Sequence, residues 1–202
     1  KSKENSLHCF FTLSMLLYLY FVTLMKVIDN FLSTKDWQRI EKTMITGGLL
    51  PWCYNNMKVS GDDSINNYQF THEFFNFHSI NGPCQRAESS HLEILKPLVD
   101  KINMVALHRI KGNLEPLKAE RHFSNWHTDI YPPTKSMTTA IYYVNTNDGY
   151  TEFENGRKIK CFKNRFVSFP SNLKHRGVSQ LDNKVKCVIN LNYFGYINEN
   201  LS

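Results

Sequence analysis

The sequence predicts an α+β fold in which helices come first and a dense run of antiparallel strands follows. Two stretches with helical periodicity lie in the first half of the chain, one ending at Gly47 and one at about 90–103. From Met137 onward, short runs rich in β-branched and aromatic residues alternate with turn residues. Asn155-Gly156, between two of these runs, is a strong hairpin signal. This order indicates a barrel or sandwich of strands that holds the site.

The composition is that of one ordinary globular domain. The chain has 202 residues, enough for a hydrophobic core, and its 42% apolar and 21% charged residues argue against disorder. The cysteines are odd in number and form no C-x-x-C pair, so neither a zinc knuckle nor a complete disulfide framework is expected. Reduced, intracellular thiols are the simpler interpretation for Cys9, Cys53, Cys84, Cys161 and Cys187.

The N-terminal segment is apolar enough to allow three interpretations. Residues 9–25 contain no charged side chain, at the short end for a membrane span, and flanking lysines also fit a signal anchor. The segment is a membrane anchor, a packed element of the domain, or an artefact upstream of Met25, which would open a complete protein naturally. We therefore separate residues 1–25 from a domain at 26–202. A cytoplasmic location is expected, with membrane anchoring through residues 9–25 as the alternative.

Two helices are expected before the strands. The first opens at Ser33, where a serine three residues before an acidic residue resembles a capping box, and Gly47 ends it. The second runs from about Ser90, which has the same cap pattern, to Asn103, and Pro97 should kink it or end its first part. The side chains expected on the buried faces are Trp37, Ile40, Met44, Leu92, Leu95, Leu98, Val99 and Ile102.

Strands and loops fill the rest of the first half. Residues 68–77 and 105–110 are expected to be strands, residues 49–63 irregular and residues 111–121 a loop. The histidines in this part have no metal-ligand spacing, so we interpret them as packed or surface strand residues: His72, His78 and His108.

The chemistry of the chain centres on Asn125-Trp126-His127-Thr128-Asp129. On an extended strand, His127 and Asp129 would point to the same side, about 6.5 to 7 Å apart. An imidazole and a carboxylate placed in this way can bind one face of a divalent metal, and His175 is the candidate for the third ligand. Two histidines and one carboxylate are the facial triad of non-haem Fe(II) oxygenases, but zinc hydrolases also use this set.

A long strand rich in β-branched residues follows His175, from Lys184 to Phe194. Lys184 and Lys186 lie two residues apart, so they share a face of the strand. A cation held there, inside a barrel, can pair with the distal carboxylate of a keto acid that chelates iron.

Together, His127-Thr128-Asp129, His175 and a basic residue opening the final strand resemble the 2-oxoglutarate/Fe(II)-dependent dioxygenases, in particular their prolyl 4-hydroxylase-like branch. The resemblance covers roughly residues 105–195. The small size of the chain and its lean loops are similar to the stand-alone versions encoded by bacteria and phages. Tyr150 replaces the second glycine of the family's Gly-Gly-Glu-Thr-Phe turn. The further matching segments are 138–145, 149–153 and 165–170.

The resemblance implies a double-stranded β-helix, or jelly roll, braced by N-terminal helices, over residues 26–202. It implies Fe(II) bound by His127, Asp129 and His175, with 2-oxoglutarate as co-substrate and ascorbate as reductant. Lys186, with Lys184 as second candidate, would bind the distal carboxylate of 2-oxoglutarate, and Tyr143 its other end. Asn113 would lie near the pocket mouth. The carboxylate of Asp129 argues for hydroxylation, because halogenation would need that position open.

The implied function is hydroxylation of a C–H bond in a peptide residue, as in prolyl hydroxylases, or in a small metabolite, with 2-oxoglutarate decarboxylated to succinate. The partners are then 2-oxoglutarate, O₂ and an unidentified substrate, selected by loops at about 49–66, 111–125 and 130–136. One alternative is a metal-binding jelly-roll module without turnover. Another is a nucleic-acid dealkylase, which ranks lower because the final strand has lysines and no arginine.

The net charge of +6 arises in residues 101–202. A basic cluster there could attract an anionic partner, including nucleic acid. We favour a solvated hairpin face and a site for a dianionic co-substrate, because no nucleic-acid motif with interleaved aromatics accompanies the charge. The cluster comprises Arg157, Lys158, Lys160, Lys163 and Arg165.

Overall fold

A computed structural model of the protein describes residues 25–78, 85–102 and 104–195. The interpretations of residues 1–24, including the possible anchor, lie outside these ranges. Among the helices in the described ranges, none is long and apolar enough to cross a membrane.

Strands dominate the described part of the chain, and two short α-helices lie in its first half. A π-helical turn, Lys42–Thr46, follows the first helix, and a 3-10 turn, Leu92–Leu95, precedes the second. The elements are β1 (Lys26–Ile28), α1 (Thr34–Glu41), β2 (Cys53–Asn55), β3 (Gln69–His78), β4 (Gln85–Glu88), α2 (Lys96–Lys101), β5 (Ala106–Pro116), β6 (Met137–Tyr143), β7 (Tyr150–Phe153), β8 (Lys158–Lys160), β9 (Arg165–Pro170), β10 (His175–Val178) and β11 (Val185–Phe194).

The strands form two antiparallel sheets. The larger sheet has the order β1-β9-β6-β11-β5-β3-β2, with β4 paired to β3, and the smaller sheet has the order β10-β7-β8. The two sheets are not closed into a barrel. The predicted α+β architecture is therefore confirmed as an open sandwich braced by helices.

The first helix begins and ends where the sequence predicts. The Ser33 hydroxyl accepts a hydrogen bond from the Asp36 N–H at 3.1 Å, which satisfies one of the free donors at the helix start. The helix continues into the π-helical turn, and the Gly47 N–H donates to the Lys42 carbonyl at its end. Ile40 and Met44 are fully buried against the larger sheet.

The second helix differs from the prediction in its start. Pro97 lies in the first turn of α2, where its missing N–H breaks no helical hydrogen bond, so the preceding residues form a separate 3-10 turn. The predicted cap at Ser90 is wrong, since His91 precedes that turn and no side chain caps it. Leu95 and Leu98 are fully buried, as their periodicity predicted.

The larger sheet is covered on both faces. The helices pack on one face, in a cluster that includes Tyr142 and Ile189. The smaller sheet packs on the other face, in a cluster that includes Tyr143 and Phe153. Tyr142 and Tyr143 therefore point to opposite sides of β6, as alternation along a strand requires.

Two segments that were not predicted to be strands contain strand residues. The β5 strand continues to Pro116, so residues 111–116 are not a loop and Asn113 lies within the sheet. Its polar residues hide the strand in the sequence, because they face a cavity instead of solvent. The segment 49–63, predicted to be irregular, contains the short strand β2. The Asn155-Gly156 hairpin is confirmed between β7 and β8, with Gly156 at φ 83°.

Candidate active site

Backbone pairing brings His127 opposite His175. The His127 N–H donates to the His175 carbonyl and the His175 N–H to the His127 carbonyl, both at 3.0 Å. Directly opposed residues in an antiparallel pair project to the same face, and the two imidazole centroids lie 4.8 Å apart. This pairing joins residues that are 48 positions apart in the chain.

The segment that carries His127 and Asp129 is not the continuous strand predicted from the sequence. It pairs with β10 only through isolated bridges, at Phe123 and at His127. The chain bends after His127, and the Thr128 hydroxyl donates to the Ile130 carbonyl at 3.1 Å. Asp129 is therefore aimed at the histidines by a turn instead of by strand alternation.

His127, Asp129 and His175 form a group with the donor set of a metal site. One ligand atom from each lies within 4.8 Å of the others. Asp129 Oδ1 is 4.0 Å from His127 Nε2, and Asp129 Oδ2 is 4.0 Å from His175 Nε2. Asp129 Oδ2 is buried without a hydrogen-bond partner. A buried carboxylate oxygen left in this state is unfavourable, so the group fits a divalent cation between the three side chains.

Backbone carbonyls orient both imidazoles. His127 Nδ1 lies 2.9 Å from the Asn125 carbonyl, and His175 Nδ1 lies 3.1 Å from the Leu173 carbonyl. A carbonyl only accepts hydrogen bonds, so each Nδ1 carries the proton and each Nε2 offers its lone pair to a metal. Burial, reinforced by the neighbouring His175 imidazole, lowers the pKa of His127 and favours the neutral form that metals bind.

Asp129 remains ionised in this environment. Burial alone would raise its pKa, but the electrostatic effects of the nearby His175 ring and of the Arg109 guanidinium outweigh burial and lower the pKa below its ordinary value. Arg109 Nη2 lies 3.9 Å from Asp129 Oδ1. The site thus presents an anionic oxygen and two neutral imidazole nitrogens, the combination of the facial triad.

A cavity of about 370 Å³ opens beside the three side chains. Its floor is formed by β5 and β11, and it also includes part of the segment before β3. Phe169 packs edge-on against the His175 ring, with the centroids 5.0 Å apart, and limits that side of the site. The polar and aromatic side chains that line the cavity include Lys58, Arg109, Lys111, Glu115, Trp126, Thr151, Lys186 and Asn190.

Three lysines surround one buried carboxylate next to this cavity. Glu115 Oε2 lies 2.9 Å from Lys58 Nζ and 3.6 Å from Lys186 Nζ, and Glu115 Oε1 lies 3.0 Å from Lys118 Nζ. Burial would raise the pKa of Glu115, but these ammonium groups overcome it and hold the pKa well below its ordinary value. Burial lowers the pKa of Lys58 to about 8. One carboxylate cannot balance three cations, so the cluster favours a bound anion.

The residues predicted to bind 2-oxoglutarate lie in different environments. Lys186 is buried, lines the cavity and donates to the Val178 carbonyl at 2.7 Å. Lys184 is exposed and precedes β11, so it does not line the described cavity. Tyr143 is fully buried and does not reach the cavity, but its hydroxyl donates at 2.7 Å to Thr151 Oγ1, and Thr151 does line it. Tyr143 therefore orients a cavity hydroxyl instead of presenting its own.

Sequence reasoning missed Lys58, Glu115 and Arg109. None of them belongs to a recognisable motif. A signal was nevertheless present in β5, where polar residues recur at every second position from Arg109 to Glu115. This is the alternation of a strand whose polar face looks into a cavity, and the assignment of residues 111–121 to a loop obscured it.

No protein-family model matches the chain, and no curated protein matches it. Solved structures match over most of its length. A viral collagen prolyl hydroxylase from Paramecium bursaria Chlorella virus-1, in its 2-oxoglutarate complex, is 15% identical with a TM-score of 0.54, covering 85% of this chain and 96% of that one. An oxidoreductase of the 2-oxoglutarate-Fe(II) oxygenase family from Burkholderia pseudomallei is 10% identical with a TM-score of 0.60, covering 86% of this chain and 87% of that one.

A third match is a prolyl hydroxylase from Trichoplax adhaerens in complex with a peptide fragment of the hypoxia-inducible factor oxygen degradation domain. It is 16% identical with a TM-score of 0.55, covering 85% of this chain and 83% of that one. At these identities the likeness is one of fold. The chain thus has the jelly-roll fold of the prolyl hydroxylases and other 2-oxoglutarate-Fe(II) oxygenases.

Proposed function

We propose that this protein is a 2-oxoglutarate- and Fe(II)-dependent dioxygenase that hydroxylates a C–H bond. One observation carries the proposal. The ligand atoms of His127, Asp129 and His175 lie within 4.8 Å of one another, in a cavity that is also lined by the buried ammonium group of Lys186. A metal-binding side-chain group and a buried cation in one cavity match the two ends of an iron-chelating dicarboxylate.

His127, Asp129 and His175 would hold Fe(II) through two imidazole nitrogens and one carboxylate. Backbone carbonyls hold both imidazoles, so the orientation of these two rings does not depend on the metal. Partners that fix the ligands in this way support metal affinity. Bound Fe(II) with 2-oxoglutarate and O₂ supplies the oxidant for hydroxylation, with 2-oxoglutarate decarboxylated to succinate, and ascorbate would serve as reductant.

Lys186 would bind the distal carboxylate of 2-oxoglutarate. Its Nζ is held by the Val178 carbonyl and retains further N–H donors for a ligand. The Thr151 hydroxyl, which accepts from Tyr143, can donate its own proton to the same carboxylate. Both groups are buried, so they bind the carboxylate with little competition from water.

The substrate would be a peptide residue or a small metabolite. The viral relative is a collagen prolyl hydroxylase and the Trichoplax enzyme is bound to a peptide, so a prolyl residue in a peptide is the first substrate to test. Trp126 lines the cavity, and the Arg176 guanidinium lies over its ring with 4.4 Å between the guanidinium carbon and the ring centroid, so this pair would offer a flat surface to a substrate.

Turnover of 2-oxoglutarate without added substrate tests the proposal. Purified protein with Fe(II), 2-oxoglutarate and ascorbate should form succinate and consume O₂. Asp129→Ala should abolish this turnover and weaken Mn(II) binding in equilibrium dialysis, because it removes one metal ligand. Asp100→Ala is the matched control, since Asp100 is exposed on α2 and pairs with Lys96.

The result also separates the alternatives. A protein that binds Mn(II) through Asp129 but forms no succinate under these conditions would be a metal-binding module, and the proposal would fail. Substrates are then identified by a 16-dalton gain in peptide and metabolite pools. If the protein instead demethylates nucleic acid and no peptide or metabolite gains 16 daltons, the dealkylase alternative is supported.

A further inference from the structure

Basic side chains line the cavity floor at two separate positions. Alternate residues of β5 from Arg109 to Glu115 face the cavity, and β11 lies beside them with Lys186 opposite Glu115 and Asn190 opposite Lys111. Lys186 and Asn190 are four residues apart on an extended strand, a span of about 13 Å. In the proposed function, on which this inference rests, Lys186 binds 2-oxoglutarate. Arg109 and Lys111 are then left without a ligand.

Arg109 is held in place by its Nε, and its terminal nitrogens have only a long ion pair. Its Nε donates to Asn192 Oδ1 at 3.1 Å, and Asn192 Nδ2 donates to Thr139 Oγ1 at 3.0 Å. Within the described ranges, the terminal nitrogens make no hydrogen bond, and their nearest acid is Asp129 at 3.9 Å. Asp129 would be a metal ligand, so the guanidinium remains free to bind a planar anion through two parallel hydrogen bonds.

Lys111 stands next to Arg109 on the same face of β5. Its ammonium group makes no hydrogen bond or salt bridge with another residue of the described part of the chain. Burial and then the charge of Arg109 lower the pKa of Lys111, and the carboxylates of Asp129 and Glu73 offset this effect only in part. Across from it, Asn190 Oδ1 is buried without a hydrogen-bond partner. A polar ligand at this position would satisfy both side chains.

The charge balance of the cavity leads to the same conclusion. Its lining includes four basic side chains, at positions 58, 109, 111 and 186, and the carboxylates of Glu115 and Asp129. A divalent cation and dianionic 2-oxoglutarate cancel each other, so the excess of positive charge persists in the loaded site. Buried charges are normally paired, and the substrate is the remaining component that can pair them.

We propose that the substrate carries a carboxylate, bound by Arg109 and Lys111 beside the metal site. The carboxylate belongs either to a free small acid, such as an amino acid, or to a peptide through an acidic side chain or its C-terminus. Either source presents the same planar anion to the guanidinium.

Matched pairs of acids and amides test this inference without turnover. The full chain is loaded with Mn(II) and 2-oxoglutarate under argon and titrated calorimetrically with proline and prolinamide, glutamate and glutamine, and Ala-Pro and its amide. Inorganic phosphate is a further probe. At least one acid should bind roughly tenfold or more tightly than its amide, since hydrogen bonds between charged groups are stronger. Tighter binding of a free amino acid than of Ala-Pro indicates a small-acid substrate, and the reverse order indicates a peptide.

Variants identify the residues responsible. Arg109→Gln and Lys111→Met should each weaken binding of the preferred acid by about tenfold or more, and by more than they weaken binding of 2-oxoglutarate. Lys184→Met, which removes an exposed cation, should change neither. The inference is overturned if no acid binds, if acids and amides bind equally well, or if phosphate binds more tightly than every acid. It is also overturned if neither variant weakens binding of the preferred acid. If the wild type binds no 2-oxoglutarate, the proposed function has failed instead.

Discussion

Replacing Lys186 by methionine should weaken binding of 2-oxoglutarate while leaving the protein folded. Lys186 Nζ lies 3.6 Å from Glu115 Oε2, but Glu115 keeps closer contacts with Lys58 and Lys118, at 2.9 and 3.0 Å. The variant therefore leaves no unpaired buried carboxylate, and methionine fills a similar volume. The loss should be confined to the ligand.

The expected size follows from the contacts of Lys186. A hydrogen bond between charged groups contributes about 1.5–3 kcal/mol, or roughly a 10- to 150-fold change in dissociation constant. The ammonium already donates to the Val178 carbonyl and has Glu115 nearby, so part of this gain is offset in the free protein. We therefore expect an increase of about 10- to 50-fold in the dissociation constant of 2-oxoglutarate.

Calorimetric titration of 2-oxoglutarate into the Mn(II)-loaded protein measures this change, and the Michaelis constant in succinate formation provides a second value. Lys184→Met is the matched control, because Lys184 is exposed and a solvated charge contributes little, so its effect should stay within about twofold. If Lys184→Met weakens binding while Lys186→Met does not, the proposed orientation of 2-oxoglutarate in the cavity is wrong.

Two further changes test the cavity and the fold. Lys58 lines the cavity, and burial lowers its pKa to about 8. The Lys58 charge is present below that pH and lost above it. The value of kcat/KM for 2-oxoglutarate should therefore fall as the pH rises through about 8. A Lys58→Met variant should lack this step, and an unchanged pH profile would contradict a role for the Lys58 charge. Asn164→Ala should lower the free energy of unfolding by about 3–5 kcal/mol, measured by urea denaturation. Its amide pairs with the Leu32 N–H at 2.8 Å, the Leu32 carbonyl at 2.9 Å and the Tyr142 hydroxyl at 2.8 Å, all buried; Asn155→Ala, in an exposed turn, is the control and should cost far less.

Local features of the chain were predictable because they depend on neighbouring residues. The cap at Ser33 and the hairpin at Asn155-Gly156 arise from hydrogen bonding and backbone preferences within a few positions. The alternation of Tyr142 and Tyr143 is likewise a property of any strand. These features were sufficient to predict an α+β fold with helices before strands.

Longer-range features could not be derived in this way. The extension of β5 beyond Ile110 depends on pairing with β3 and β11, which supply partners for its backbone. Its polar residues read as a loop until the cavity they face is known. For the same reason, the role of Glu115 as the shared partner of three lysines could not be predicted, because those lysines are distributed from position 58 to position 186.

The sequence by itself determined which side chains are suited to a metal and to a dicarboxylate, since donor chemistry belongs to the residue: His127, Asp129, His175 and a lysine near the last strand. Only the tertiary structure decided how they meet. Hydrogen bonds between distant backbone segments place His127 against His175. Lys186 lies opposite Glu115 within the sheet and is buried, whereas Lys184, just before β11, is exposed. Burial and pairing arise from contacts between segments that are far apart in the chain, and no local pattern encodes them.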